Sequence, residues 1–151
     1  MFSENHYLAV LNFFYFLLLD ETTALVASQK AVQLAEKMNR KDSKTKVEVT
    51  LTRAMVRTLK KYQTRKVLNL HSPISSEWKI PKKDYFVAWK EFMRKSDVDQ
   101  SLILVLRYIL NYDVKIIAQA LDVPEGTVYF RLGRGLENFA NNPTLTSVVK
   151  R

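Results

Sequence analysis

The distribution of glycine constrains this chain most. All three glycines lie between Gly126 and Gly135, and the rest of the 151-residue sequence has none. Only four prolines are present, so few residues interrupt a helix. Apolar residues recur at i, i+3 and i+4 along most of the chain, which indicates helices rather than strands. We therefore predict an all-α fold. Two of the glycines fall inside its last helix, where each costs roughly 0.5–1 kcal/mol relative to alanine.

The composition is that of a globular protein without reactive centres. Hydrophobic residues make up 47% of the sequence, which suffices for a core, and there is no cysteine for disulfides or thiolate chemistry. The two histidines, His6 and His71, lie far apart. The sequence has no phosphate-binding glycine loop, metal-ligand spacing or nucleophile–base pattern. We expect neither an enzyme nor a cofactor-binding protein.

An apolar stretch, His6–Leu19, predicts the first helix, from about residue 5 to 19. It is shorter than the ~20 residues of a membrane span, and it has no basic leader or cleavage site, so we expect a cytoplasmic protein without membrane contact. Its apolar residues surround the helix, so several of its sides are buried. One interpretation makes it the centre of a bundle. The other assigns one side to a partner or a second copy, with Phe13, Phe16 and Leu17 as partner-binding residues.

Positive charge is concentrated in one stretch. The formal net charge is +9, and residues 40–66 alone carry ten Lys or Arg and two acids, a net of +8. A third helix is predicted over about Val47–Leu68, with Arg53, Arg57 and Lys60 at i, i+4 and i+7 opposite its apolar face. Such a basic ridge suits the phosphates of DNA, although a solubilising surface has the same pattern.

The remaining pattern predicts two small helical modules joined by a linker. A second helix is expected over about Thr22–Met38, capped by Thr22 or Thr23, and Ser96 is a candidate cap farther along the chain. Pro73 and Pro81 mark a stretch of little periodicity. The predicted boundaries are residues 1–68 for the first module, 69–83 for the linker and 84–142 for the second module, followed by a frayed tail.

The glycine-containing segment has the pattern of a helix-turn-helix. A short helix, Val114–Leu121, and a last helix, Glu125–Asn141, flank a tight turn. Asp122 tolerates the left-handed conformation that such a turn needs, and Pro124 suits a first helical turn. The residues expected to close the two helices on each other are small or apolar: Ile117, Ala118, Leu121, Val128 and Leu132.

This segment resembles region 4 of bacterial RNA polymerase sigma factors, especially the extracytoplasmic-function type. The resemblance is carried by LILVLRYILNYDVKIIAQALDVPEGTVYFRLGRGLENF, above all by VPEGTV and RLGRGL at the family's spacing. It implies that residues 1–68 are region 2, the module that binds the polymerase and melts promoter DNA. That correspondence rests on position, because the third helix lacks the Trp and Asn common in the family.

The resemblance also implies that the last helix enters a DNA major groove. Tyr129 and Phe130 stand where family members carry a basic residue and Ser, and they suit either a protein surface or thymine methyl groups. Residues 101–140 carry four basic and four acidic side chains, so DNA binding by this module should be weak. The candidate DNA-binding residues here are Glu125, Thr127, Tyr129, Phe130, Arg131 and Arg134.

Two functions agree with this sequence. The first is a divergent sigma-like transcription regulator that binds RNA polymerase core and promoter DNA. The second is a sigma-derived interaction or dimerisation module that has lost promoter recognition, with an anti-sigma-type regulator or a second copy as partner. DNA and polymerase binding distinguish the two, and neither requires a cofactor.

Overall fold

The computed structural model describes residues 2–63 and 83–141, with side chains omitted for 83–85. The described residues form helices and contain no strand, which confirms the all-α prediction. The expected tail lies outside the described residues, as does nearly all of the expected linker. The helices are α1 (Glu4–Leu18), α2 (Glu21–Lys41), α3 (Val47–Gln63), α4 (Lys83–Lys95), α5 (Val98–Leu104), a π-helical turn (Val105–Ile109), α6 (Val114–Leu121) and α7 (Glu125–Ala140).

Aspartates, rather than the expected Thr and Ser residues, cap two of the helices. The Asp20 side chain accepts a hydrogen bond from the Thr23 backbone N–H at 2.9 Å, so α2 begins before the predicted Thr22 or Thr23 cap. Asp97 occupies the N-cap position of α5, one residue after the predicted Ser96. In both cases a carboxylate provides the acceptor, and it also interacts favourably with the positive end of the helix dipole.

Helices α1, α2 and α3 pack closely because α2 contributes small side chains. Ala24, Ala27, Ala31 and Ala35 are fully buried along one face of α2. Without longer side chains between them, neighbouring helix backbones can approach closely, and α2 makes its main contacts with α1 and α3. Larger side chains on α3, such as Met55, fill the adjacent space.

Helix α1 lies at the centre of the molecule. It contacts α2, α3 and the π-helical turn. The Tyr15 ring stacks on Phe86 of α4 with centroids 5.9 Å apart, and the Trp89 indole N–H donates to the Phe16 carbonyl oxygen at 2.9 Å. From Val10 onward, most apolar residues of α1 are covered by this chain's own helices, which favours the interpretation of α1 as the centre of a bundle, whereas Tyr7 and Leu8 near its start have 46% and 51% of their surfaces exposed.

The two predicted modules contact each other in this structure. Helix α3 packs against α6, and the Arg53 Nη2 donates to the Gln119 carbonyl oxygen at 3.2 Å. On the other side, Trp89 of α4 packs edge-to-face against Phe16 of α1 and donates its indole N–H to the Phe16 carbonyl oxygen. The division into modules at residues 69–83 stays a prediction. Among the described helices, none has both the length and the apolar character needed to cross a membrane.

Candidate nucleic-acid interface

A tight turn of left-handed backbone sets the angle between α6 and α7. Asp122 has φ 56° and ψ 50°, as its residue type predicts, and the following N–H of Val123 donates to the Ala118 carbonyl oxygen at 3.0 Å. Pro124 occupies the N-cap of α7, so it stands just before the helix rather than within its first turn. Its carbonyl accepts from the Thr127 N–H at 3.0 Å, which begins the helix.

Apolar side chains close the two helices on each other. Ile117 and Val128 are fully buried, Ala118 and Leu132 nearly so, and Leu121 is half-buried. Helix α7 packs against α5 as well as α6, so it is held on one side along most of its length. The predicted helix-turn-helix is therefore present, with α7 in the position of the recognition helix.

The structure separates the three glycines by their surroundings. A Cβ atom on Gly135 would lie 3.2 Å from two side-chain carbons of the buried Leu104 on α5, so internal packing accounts for this glycine. A Cβ atom on Gly126 or Gly133 would meet no described atom within 4 Å. Nothing in the described fold requires these two glycines.

The side of α7 opposite its buried residues is exposed. We call this side the outer face of α7. Tyr129 and Phe130 are its most prominent side chains, with 62% and 67% of their surfaces exposed. In a helix, residues 126, 130, 133 and 137 follow one another along a single row, so Phe130 stands between two positions without side chains. The outer face consists of Gly126, Tyr129, Phe130, Gly133, Arg134 and Glu137.

The predicted DNA-contacting residues of α7 do not all lie on this face. Tyr129, Phe130 and Arg134 do, and Glu125 is exposed beside it at the start of the helix. Thr127 and Arg131 are half-buried at its margin. Charge on and beside the face is mixed, since Arg134 is accompanied by Glu125 and Glu137. Phosphate attraction from α7 alone is correspondingly small.

The predicted basic ridge on α3 is divided in the structure. Arg57 and Lys60 are exposed, whereas Arg53 is half-buried and its guanidinium group donates to Gln119 at the end of α6. Arg53 thus contacts the helix-turn-helix rather than standing open to solvent. The sequence has no signal for this contact, because its two residues are 66 positions apart.

The three predicted partner-binding residues of α1 contact this chain's own core. Phe13 and Leu17 are buried, and Phe16 is half-buried beside Trp89 and Phe86. In this conformation they present no open surface comparable to the outer face of α7. A partner that used them would first have to displace α4 or the π-helical turn.

The π-helical turn before α6 has no clear sequence signal. The Arg107 Nη1 donates to the Tyr112 carbonyl oxygen at 3.2 Å, and Asn111 adopts a left-handed φ of 58°. The Tyr112 hydroxyl is buried without a hydrogen-bond partner among the described residues. Burial, with a smaller contribution from the negative charge of Glu48, raises the pKa of Tyr112 to about 12. The Tyr112 hydroxyl therefore stays protonated at neutral pH.

A comparison with known families finds a match to this part of the chain. Residues 97–139 match the family described as Sigma-70, region 4. The match runs from the cap of α5 almost to the end of α7 and includes the turn and the whole outer face. Members of this family are DNA-binding transcription factors and not enzymes. No significant match was found among curated proteins or solved structures.

Proposed function

We propose, from the premise that residues 97–139 are a sigma-70 region 4 segment, that the chain is a divergent sigma-like transcription regulator of the extracytoplasmic-function type. It binds promoter DNA with α7 and RNA polymerase core with its N-terminal helices, which act as a divergent region 2 in the bacterial cytoplasm. The observation that carries the proposal is the exposed outer face of α7 on a closed helix-turn-helix.

The outer face of α7 suits close contact with a major groove. The groove admits one helix, and contact depth depends on the side chains between the helix backbone and the base edges. Gly126 and Gly133 add no side chain, so the backbone can come near the DNA on both sides of Phe130. Tyr129 and Phe130 then provide apolar contact with thymine methyl groups, and Arg134 can pair with guanine.

Cations near the helix-turn-helix supply a modest phosphate contact. Helix α3 lies against α6 and carries the exposed Arg57 and Lys60, while Arg134 stands on α7. If these three neutralise three phosphates, the slope of log affinity against log salt is roughly −2.7. That value is shallow for a DNA-binding protein, so RNA polymerase must add affinity at the promoter.

A second exposed surface is available for the polymerase. Leu25 and Val26 on α2 have 50% and 41% of their surfaces exposed, at adjacent positions early in the helix. Two large apolar side chains side by side on an exposed helix favour a protein partner over solvent. We assign this part of α2 to polymerase contact.

Binding of labelled promoter-like duplexes, measured by fluorescence anisotropy at two salt concentrations with and without core polymerase, tests the proposal. We expect weak salt-dependent binding by the protein alone and tighter binding with polymerase. Phe130→Ser and Arg134→Gln should weaken both, while Lys44→Gln, which removes one charge from an exposed loop residue, should have little effect. Equal binding by all four proteins, or none with polymerase, would reject the proposal.

The alternative of an interaction module is favoured by one observation. Tyr129, Phe130 and Leu136 are all large, apolar and exposed on the same helix. A second copy could cover them, since homodimer interfaces are more apolar than ordinary surface. Light scattering distinguishes the two: a dimer that Phe130→Ser converts to a monomer, together with absent DNA binding, supports this alternative.

A further inference from the structure

Small and large residues alternate along the exposed side of α7 with the spacing of a helix–helix contact. Gly126, Gly133 and Ala140 follow one another at seven-residue intervals, and Tyr129 and Leu136 stand three residues after the two glycines. All five residues are exposed. We call this row the seam of α7. A repeat of seven residues with apolar side chains at its first and fourth positions is the pattern by which one helix packs along another.

The seam contains both projecting side chains and spaces for them. A Cβ atom on Gly126 or Gly133 would meet no described atom within 4 Å, so the helix surface is open at these positions. Tyr129 and Leu136 project between the open positions, with 62% and 41% of their surfaces exposed. A two-fold dimer requires a surface that is complementary to itself, and alternating spaces and projections meet that requirement.

An antiparallel pairing about Gly133 fits these positions. With the two-fold axis at Gly133, Gly126 lies opposite Ala140 of the second copy, and Tyr129 lies beside Leu136 of the second copy. The glycines let the two backbones approach closely, and the large side chains fill the spaces on either side. Antiparallel helices also place opposite ends of their dipoles together.

The distribution of charge favours this part of the chain for contact between two copies. Residues 40–66 carry a net charge of +8, so two copies repel each other there. Residues 101–140 carry four basic and four acidic side chains and are neutral. Two copies that meet through α7 therefore bring together their neutral segments and keep their basic segments apart.

The area of the exposed apolar side chains indicates a weak, reversible dimer. Phe130, beside the seam, has 67% of its surface exposed. Since an aromatic side chain can bury 150–250 Å², Tyr129, Phe130 and Leu136 together offer roughly 300 Å² per copy. Two copies then bury less than the ~1,200 Å² at which stable specific interfaces begin, which is the range of transient contacts. Such a dimer exchanges readily with other ligands of the same face.

We propose that a second copy of this chain binds to the seam of α7, so that self-association and DNA binding exclude each other. The inference rests on the proposed DNA binding by α7, because the seam shares Gly126, Tyr129 and Gly133 with the outer face. It differs from the interaction-module alternative in that the protein keeps both functions. Salt then acts on them in opposite directions: it weakens phosphate contacts, whereas it screens the repulsion between two copies that each carry a net charge of +9.

Sedimentation velocity over a range of protein concentrations, with and without a promoter-like duplex, tests the proposal. We expect a monomer–dimer equilibrium that shifts toward the dimer at higher salt, and we expect the duplex to convert dimers into complexes with one copy per DNA. Leu136→Ser should weaken dimerisation roughly tenfold or more, because the change is made in both copies. Val98→Ser is the matched control, since Val98 on α5 has 42% of its surface exposed, and it should change dimerisation less than about twofold.

Anisotropy with labelled duplex separates this proposal from the DNA-binding proposal. When the protein is concentrated, Leu136→Ser should bind DNA more tightly than the unmodified protein, because more monomer is free. A role of Leu136 in folding alone would weaken DNA binding instead, and circular dichroism verifies that the variants fold. Arg134→Gln lies off the seam and should weaken DNA binding while the dimer persists.

Several outcomes would overturn this proposal. They are a protein that stays monomeric at all concentrations, a dimer that Leu136→Ser and Val98→Ser weaken equally, or a dimer that binds DNA without dissociating. The first of these leaves DNA binding by α7 intact, so the two proposals fail separately. A dimer whose monomers bind no DNA would reject the DNA-binding proposal and, with it, the competition.

Discussion

Gly133 and Gly135 are two residues apart on α7 but face different surroundings. Position 135 points at the buried side chain of Leu104, and position 133 points away from every described atom. A residue's helix propensity acts at both sites, whereas steric contact acts at only one. Substituting alanine at each position therefore distinguishes the effect of glycine on folding stability from a role of glycine in contact with a partner.

Gly133→Ala should stabilise the protein and weaken DNA binding. Alanine is favoured over glycine in a helix interior by roughly 0.5–1 kcal/mol, and nothing opposes its methyl group at position 133. Gly135→Ala should gain less or become destabilising, because Leu104 must move by a few tenths of an ångström. Urea unfolding measures the stabilities, and anisotropy with duplex DNA measures binding. A Gly133→Ala protein that is more stable and binds DNA equally well would contradict close groove approach.

Two buried tyrosines should make the protein sensitive to alkali. Burial raises the pKa of Tyr112 to about 12 and that of Tyr15 to about 12, from an ordinary 10.0, with Glu48 and Glu21 adding smaller effects. Between pH 10 and 12 the unfolded chain therefore loses protons that the folded chain keeps. The free energy of unfolding should fall as pH rises through this window.

Tyr112→Phe should reduce the loss of unfolding free energy at alkaline pH. Urea unfolding at several pH values between about 9 and 11 measures the slope for the variant and the unmodified protein. At neutral pH the variant should be as stable or slightly more stable, because the Tyr112 hydroxyl has no hydrogen-bond partner among the described residues. Identical alkaline slopes, or a clear loss of stability at neutral pH, would show that this hydroxyl is better solvated or bonded than its burial indicates.

The turn between α6 and α7 depends on one left-handed residue, Asp122. Asp122→Ala should cost about 1 kcal/mol, since alanine lacks the tolerance of aspartate for positive φ. Asp122→Gly should be neutral or stabilising, because glycine adopts this conformation freely. The side chain is exposed, so neither change removes core packing. Thermal unfolding compares the two variants, and equal stabilities would show that the turn is not strained.

Local chemistry made the helix-turn-helix predictable. The residue type of Asp122 and the spacing of apolar residues each act over a few positions, so sequence pattern identifies both elements and the turn between them. The outer face of α7 follows from the same periodicity once the buried side is known. Tyr129, Phe130 and Arg134, in contrast, were identified as candidate site residues through the resemblance to sigma region 4.

Contacts between distant residues were not predictable. Arg53 has the spacing of a solvent-exposed ridge residue. However, α6 packs on α3, and the Arg53 guanidinium group donates to the Gln119 carbonyl oxygen. Likewise, an apolar helix such as α1 has the same sequence whether its own chain or a partner covers it, and only the placement of α4 shows which surfaces are covered here. Helix periodicity defines which residues share a face but not what that face meets.

At the scale of the whole molecule, the N-terminal and C-terminal helices share one core. Trp89 of α4 donates to the backbone of α1, and α6 packs on α3, so two separate regions join the halves. Contacts of this kind couple unfolding of the two halves. The packing implies that Arg53 stabilises the arrangement of the halves, while its neighbour Arg57 is exposed.

Arg53→Met should destabilise the protein by about 1 kcal/mol, because it removes a charged hydrogen bond from a partly exposed group and leaves the end of α6 with one donor fewer. Arg57→Met, on the same helix, is the matched control and should change stability by less than about 0.5 kcal/mol. Urea unfolding followed by tryptophan fluorescence compares them. Equal effects would mean that the Arg53–Gln119 contact contributes nothing to stability.

The same two variants test which arginine binds a DNA phosphate and which one only joins α3 to α6. If Arg57 neutralises a DNA phosphate, Arg57→Met should make the slope of log affinity against log salt shallower by about 0.9. Arg53 is held by Gln119, so Arg53→Met should leave that slope unchanged even though it lowers stability. Anisotropy titrations at several salt concentrations, below the unfolding temperature of both variants, measure the slopes. A shallower slope for Arg53→Met would mean that DNA draws Arg53 away from α6, and that the two halves separate when the protein binds DNA.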